Sequence, residues 1–227
     1  MNRRNILLGA FAALGLGSWY MTSNRSATTV AFPDAALPGA ANAQGTSGDV
    51  DTSAIPDMIA GNADATVEII EYASFTCPHC ATFHQGPYKQ LKTDYIDTGK
   101  VKFVYREVYF DRFGLWASQV ARCGGKDKFF GMADLIYANQ AQWTRAGDPA
   151  AIVEELRKIG RLAGLDNETI EACLQDSDNQ QALVAWYKEN AEADGIDSTP
   201  SFVINGKKYS NMSYAEMKEI IEDALAG

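Results

Sequence analysis

The sequence predicts a small mixed α/β sheet with an all-helical domain inserted in its middle. Two β-branched, apolar runs at 66–73 and 101–105 flank a single helical stretch, which makes a strand–helix–strand unit and implies a parallel pair. A helical pattern then runs from Leu115 to Ala193, and strand signals return only at 201–209. The chain has 227 residues, of which 46% are apolar, with 10 Phe, 10 Tyr and 4 Trp, enough for a sizeable core.

The N-terminus reads as an export segment. Arg3 and Arg4 precede a short apolar run at 6–16, and Ala41-Asn42-Ala43 offers a cleavage site. An uncleaved anchor is the alternative, although the run is short and Gly-rich for a spanning helix. Either arrangement keeps the positive end inside and exports the rest. Residues 26–55 are mostly small and polar and read as a flexible linker. The predicted organisation is therefore a signal peptide or anchor at 1–25, a linker at 26–55, a sheet domain at 56–111 and 196–227, and a helical insertion at 112–195.

Within the sheet domain, Thr66 to Ala73 forms the first strand. Pro78 suits the first helical position, where its fixed φ is favourable and its missing N–H costs nothing. Phe83, Tyr88, Leu91 and Tyr95 mark the apolar stripe of the helix, Gly86-Pro87 kinks it and Gly99 ends it. Val101 to Tyr105 is the second strand. Helices are expected near 115–123, 127–143, 149–163, 168–175 and 179–193, with Gly, Pro and Asp clusters between them. Asn205-Gly206 joins strands 201–204 and 207–209 in a hairpin, since both turn positions need positive φ. Ser213 caps a last helix, with Glu216 as its capping-box partner.

The chemistry concentrates in Cys77-Pro78-His79-Cys80. A cysteine at a helix start is acidified by unpaired N–H groups and the positive dipole end, and Cys80 lies one turn on, within reach of a disulfide. His79 is placed to stabilise the Cys77 thiolate further. A stabilised thiolate is a good leaving group, which makes the disulfide a strong oxidant. Three other readings fare worse. Cys77, Cys80 and His84 fall short of a structural zinc set because no second ligand pair completes it. Haem attachment requires His after the second Cys, where Ala81 stands. A net charge of −9 with no basic cluster argues against nucleic acid as a partner.

The remaining cysteines, Cys123 and Cys173, sit at helical positions with apolar neighbours. In an oxidising compartment they are expected to form a structural disulfide that contributes roughly 4 kcal/mol, two reduced buried thiols being the alternative. Glu71 shares strand parity with Val67, Ile69 and Ala73, which turns it inward and leaves Glu68 on the other face. His84 reads as an ordinary helix-face histidine.

Glu71-Tyr-Ala-Ser-Phe-Thr-Cys77-Pro-His-Cys80, the inserted helices, and Ser198-Thr199-Pro200 before a hairpin together resemble the bacterial DsbA family. The resemblance covers about residues 56–226 and implies a thioredoxin-like fold. It implies an exposed Cys77 as nucleophile and a buried Cys80 as the partner released. It also implies Glu71 as a buried acid assisting proton transfer, a cis Pro200 facing the site, and Thr199 holding substrate backbone. The same resemblance implies a periplasmic protein dithiol–disulfide oxidoreductase with no cofactor and no metal. Its partners would be exported proteins with free cysteines and a quinone-linked, DsbB-type membrane reoxidant. A disulfide isomerase or reductase of the same fold is the rival. Isomerases work as oligomers through an N-terminal extension, and 26–55 lacks the apolar periodicity to build one, so a monomer is expected.

Overall fold

The computed structural model describes residues 50–227; the export segment and most of the linker lie outside them. Five strands form one sheet in the order β1-β3-β2-β4-β5, from β1 (Met58–Gly61), β2 (Val67–Ala73), β3 (Val101–Glu107), β4 (Ser201–Ile204) and β5 (Lys207–Ser210). β2 and β3 run parallel, and every other neighbouring pair is antiparallel. The central strand β2 is almost wholly buried, which matches its β-branched, nearly continuous apolar run.

Between β2 and β3 the chain forms α1 (Pro78–Gln85), α2 (Pro87–Leu91) and a π-helical turn at Lys92–Ile96. The break falls at Gly86, as the Gly-Pro pair predicts. Six helices separate β3 from β4: α3 (Arg112–Cys123), α4 (Lys126–Ala138), α5 (Gln140–Trp143), α6 (Pro149–Leu162), α7 (Asn167–Gln175) and α8 (Ser177–Ala193). Helix α3 packs on α4, α6 and α7. Asp side chains at 111, 148, 166 and 176 accept the first free amides of α3, α6, α7 and α8. The last helix, α9 (Tyr214–Ala226), starts in the expected capping box of Ser213 and Glu216. Asn205 and Gly206 take φ of 45° and 80° at the hairpin turn.

A single continuous core joins Val67, Ile69, Phe103 and Phe202 of the sheet to Val120, Met132, Leu156 and Ile170 of the helices. Tyr72, Val108 and Val203 form a smaller cluster on the other sheet face.

Three expectations need correcting. Strand β1 has no counterpart in the sequence reading; its four residues are too few for periodicity, and its pairing with β3 alone defines it. Residues 52–55, read as the end of the linker, are tied down. The Ile55 amide donates to Thr52 O, and Thr52 Oγ1 donates to Glu189 on α8 at 2.9 Å. The single helix expected over 127–143 is broken at Asn139, which separates α4 from α5.

Candidate active site

Strand β2 ends at Ala73, and Ser74-Phe75-Thr76 carries the chain over the sheet end to Cys77. Polar groups fix this short passage. Thr76 Oγ1 donates to Asp111 Oδ2 at 3.0 Å, while Asp111 Oδ1 caps α3 through the amides of Phe113 and Gly114. Gln140 Nε2, on α5, donates to both Phe75 O and Cys77 O, at 2.8 and 2.9 Å. The helical insertion thereby holds the backbone that leads into the reactive segment.

Cys77 is the N-cap of α1, and its Sγ accepts the Cys80 amide at 3.4 Å. Both cysteines are present as free thiols. Cys77 keeps 8% of its surface and Cys80 none. The expectation of an exposed Cys77 is thus corrected in degree. Its Sγ lies 3.5 Å from Thr199 O, so the loop before β4 covers much of it. The Thr199-Pro200 bond is cis, and Pro200 is buried beside the site.

The two thiols are pushed in opposite directions. Cys77 is lowered from 9.0 to about 5, chiefly by a hydrogen bond from the Cys80 thiol. Burial opposes this, and the Thr199 side chain and the backbone amides of Cys80 and His79 add to the lowering. Cys80 is raised far above the ordinary thiol range, first by burial, then by the bond it gives to Cys77 and by the nearby Glu71 charge. His79 therefore acts here through its backbone rather than its ring, and its side chain, like Pro78, is exposed. The largest single influence, the neighbouring thiol, is not one the helix-start argument contains.

Glu71 sits on β2 opposite Tyr105 of β3 and Phe202 of β4 and is fully buried. Its Oε2 lies 2.8 Å from His84 Nε2, whereas Oε1 bonds to no protein group. Glu68, on the other face, pairs with Lys102 and is partly exposed. His84, read from the sequence as an ordinary helix-face histidine, is buried at 1% exposure and meets Glu71. Its ring stacks on Tyr137 at 4.4 Å between centroids, with Tyr88 at 4.7 Å. Its position four residues after Cys80 puts both on the face of α1 that meets the sheet; that spacing was the available signal. Gln140 and Asp111 carried no signal, because their partners are distant in sequence.

Among the described residues, no three or more His, Cys, Asp or Glu side chains gather in a metal-holding group. Cys123, at the end of α3, is bonded to Cys173 of α7, a separation of 50 residues.

A family model described as thioredoxin matches residues 53–223. The chain belongs to the thioredoxin family. A Rickettsia bellii chain whose name assigns it to the protein-disulfide oxidoreductases is 35% identical over 170 residues, 74% of this chain and 64% of that one. The chain thus spans somewhat less than two thirds of that relative's length. Disulfide bond formation protein D of Bacillus subtilis is 28% identical over 182 residues, covering 74% of this chain and 77% of that protein. The fold is shared with alpha-DsbA1 of Wolbachia pipientis, with a TM-score of 0.69 at 24% identity over 76% of this chain and 92% of that one. The thioredoxin-like fold implied by the resemblance in Cys-Pro-His-Cys and Thr-Pro is the fold found.

Proposed function

We propose that this chain is a periplasmic thiol–disulfide oxidoreductase that donates a Cys77–Cys80 disulfide to cysteine pairs of newly exported proteins. The observation that carries this reading is the pair of free thiols at the start of α1, Cys77 accepting the Cys80 amide beside the cis Thr199-Pro200 bond and Cys80 buried behind it, an arrangement that lowers Cys77 and raises Cys80. A substrate thiolate attacks Cys77 Sγ; the bond to Cys80 breaks, and Cys80 leaves with the electron pair and takes up a proton. The substrate's second thiolate then attacks its own sulfur in the mixed disulfide. That step closes the substrate disulfide and expels Cys77 as a thiolate that is stable at neutral pH, which favours transfer outward.

The supporting parts are assigned as follows. Pro78 starts the helix that presents Cys77, and the His79 amide helps hold the thiolate. Thr199 and Pro200, against Cys77, receive the substrate backbone. Glu71 handles the Cys80 proton. The Cys123–Cys173 bond is structural and outside the exchange, which uses no resident cofactor. Reoxidation falls to a quinone-linked membrane partner of DsbB type, and the chain works as a monomer exported by its first 25 residues.

The test is trapping in cells. Cys80→Ala leaves Cys77 unable to resolve mixed disulfides, so adducts with exported proteins should accumulate and vanish on reduction and in the Cys77→Ala/Cys80→Ala variant. An absence of adducts would sink the proposal. The redox state of the unaltered pair decides direction: an oxidised Cys77–Cys80 pair supports donation, and a reduced one supports the isomerase or reductase reading.

A further inference from the structure

The exchange leaves one problem at the buried end of the site. When Cys80 is released it must gain a proton, and when the pair is reoxidised it must lose one, yet Cys80 has no exposed surface. Glu71 is equally enclosed. A carboxyl group that serves Cys80 over repeated turnovers needs its own connection to solvent.

The surroundings of His84 supply that connection. Nε2 faces Glu71 Oε2 at 2.8 Å, leaving Glu71 Oε1 without a protein partner. The opposite ring nitrogen, Nδ1, is buried and likewise bonds to no protein group. His84 lines a cavity of about 190 Å³ bounded by α1, α2 and α4, together with Gln85, Lys89, Asp134 and Tyr137. Gln85, Lys89 and Asp134 are exposed, so the cavity's rim is at the surface. His84 thus stands between a buried carboxylate, which its Nε2 meets, and a cavity whose rim reaches the surface.

The groups around it limit what else can carry the proton. From α1 the neighbour is Cys80, and from β2 it is Glu71. Tyr105 of β3 lies edge-on at 5.7 Å, Tyr88 of α2 at 4.7 Å, and Tyr137 of α4 stacks on the ring. Burial raises all three phenols well beyond their ordinary range, so none ionises near neutral pH. Lys89 and Asp134 complete the set at the rim, where partial desolvation raises the Asp134 carboxyl, with the His84, Lys89 and Lys92 charges opposing. Imidazole can accept a proton at one nitrogen while donating from the other without moving.

We propose that His84 is the proton relay between the Cys80–Glu71 pair and solvent, an inference that rests on the thiol-exchange reading above. As the substrate thiolate bonds to Cys77 Sγ and the Cys77–Cys80 bond breaks, Glu71 takes a proton from His84 Nε2 and passes one to Cys80 Sγ, while Nδ1 draws one from solvent in the cavity. Reoxidation of the dithiol runs the same transfers in reverse, and one proton crosses for each Cys80 released.

The test is single-turnover reduction of the oxidised, unaltered protein and of His84→Gln by a dithiol peptide, followed against pH in H₂O and D₂O. Gln keeps a donor for Glu71 but cannot relay. The relay predicts a rate at least about tenfold lower in His84→Gln, a flattened pH profile, and a solvent isotope effect that differs from that of the unaltered protein. A merely structural histidine would shift stability but leave profile and isotope effect unchanged, and that result would overturn the relay. Should His84→Gln fail to fold, imidazole ¹⁵N shifts of the unaltered protein decide. They should differ at His84 between disulfide and dithiol forms, and identical shifts would overturn the proposal. If the unaltered protein itself is not reduced by dithiols, the exchange reading fails as well.

Discussion

Cys77 and Cys80 are three residues apart yet are driven to opposite ends of the thiol range, because one accepts a hydrogen bond from the other's thiol and the other is buried. The pH dependence that follows has a definite sign. Cys77 in the folded, reduced protein is lowered from 9.0 to about 5, so its ionisation stabilises that form and the benefit is lost as pH falls towards 5. Cys80 is raised, so it opposes folding only where an unfolded thiol would ionise, near and above 9.0. The disulfide form has neither titration. Melting temperatures of the two forms, measured from pH 4 to 8, should therefore diverge in favour of the reduced form as pH rises above 5. Parallel curves would contradict the assignment.

At the scale of elements, the site is assembled by joints between segments distant in the chain. Asp111 is the clearest of these, since one carboxylate caps α3 and also receives Thr76 beside the reactive segment. Asp111→Ala should cost about 1–2 kcal/mol, read as a lower urea midpoint, and should slow thiol exchange more than a cap loss at α6 through Asp148→Ala. Equal exchange rates in the two variants would show that the joint does not position Cys77. Elements defined by local rules were legible beforehand. Strands β2 and β3, the Gly86-Pro87 break, the Asn205-Gly206 turn and the Ser213–Glu216 box each rest on residues adjacent or one turn apart. What escaped depends on partners far away. Strand β1 exists by pairing with β3, Gln140 matters for carbonyls more than sixty residues earlier, and His84 read as an ordinary helix-face histidine because its partners Glu71 and Tyr137 are distant in sequence. The reactive cysteines and the cis proline's position were visible because a short motif carries them; the thiol-to-thiol hydrogen bond that most lowers Cys77 was not.

For the whole molecule, the helical insertion and the sheet share one core, and two internal clamps reinforce it. Arg122 of α3 meets Glu107 at the end of β3 in a largely buried pair, with Nε to Oε1 and Nη2 to Oε2 both at 2.6 Å. The Cys123–Cys173 bond ties α3 to α7. Replacing both cysteines by alanine should lower unfolding free energy by about 2–4 kcal/mol, seen in denaturant titration, while the Cys77 and Cys80 chemistry persists. Loss of exchange activity in a variant that still folds would mean that the bond does more than brace the insertion. All of these arrangements converge on a Cys77 thiol that gives up its proton well below neutrality. Its thiolate absorbance against pH in the reduced protein is the most direct measurement: a midpoint near 5 is predicted, and one near 9, as for an ordinary thiol, would contradict the account.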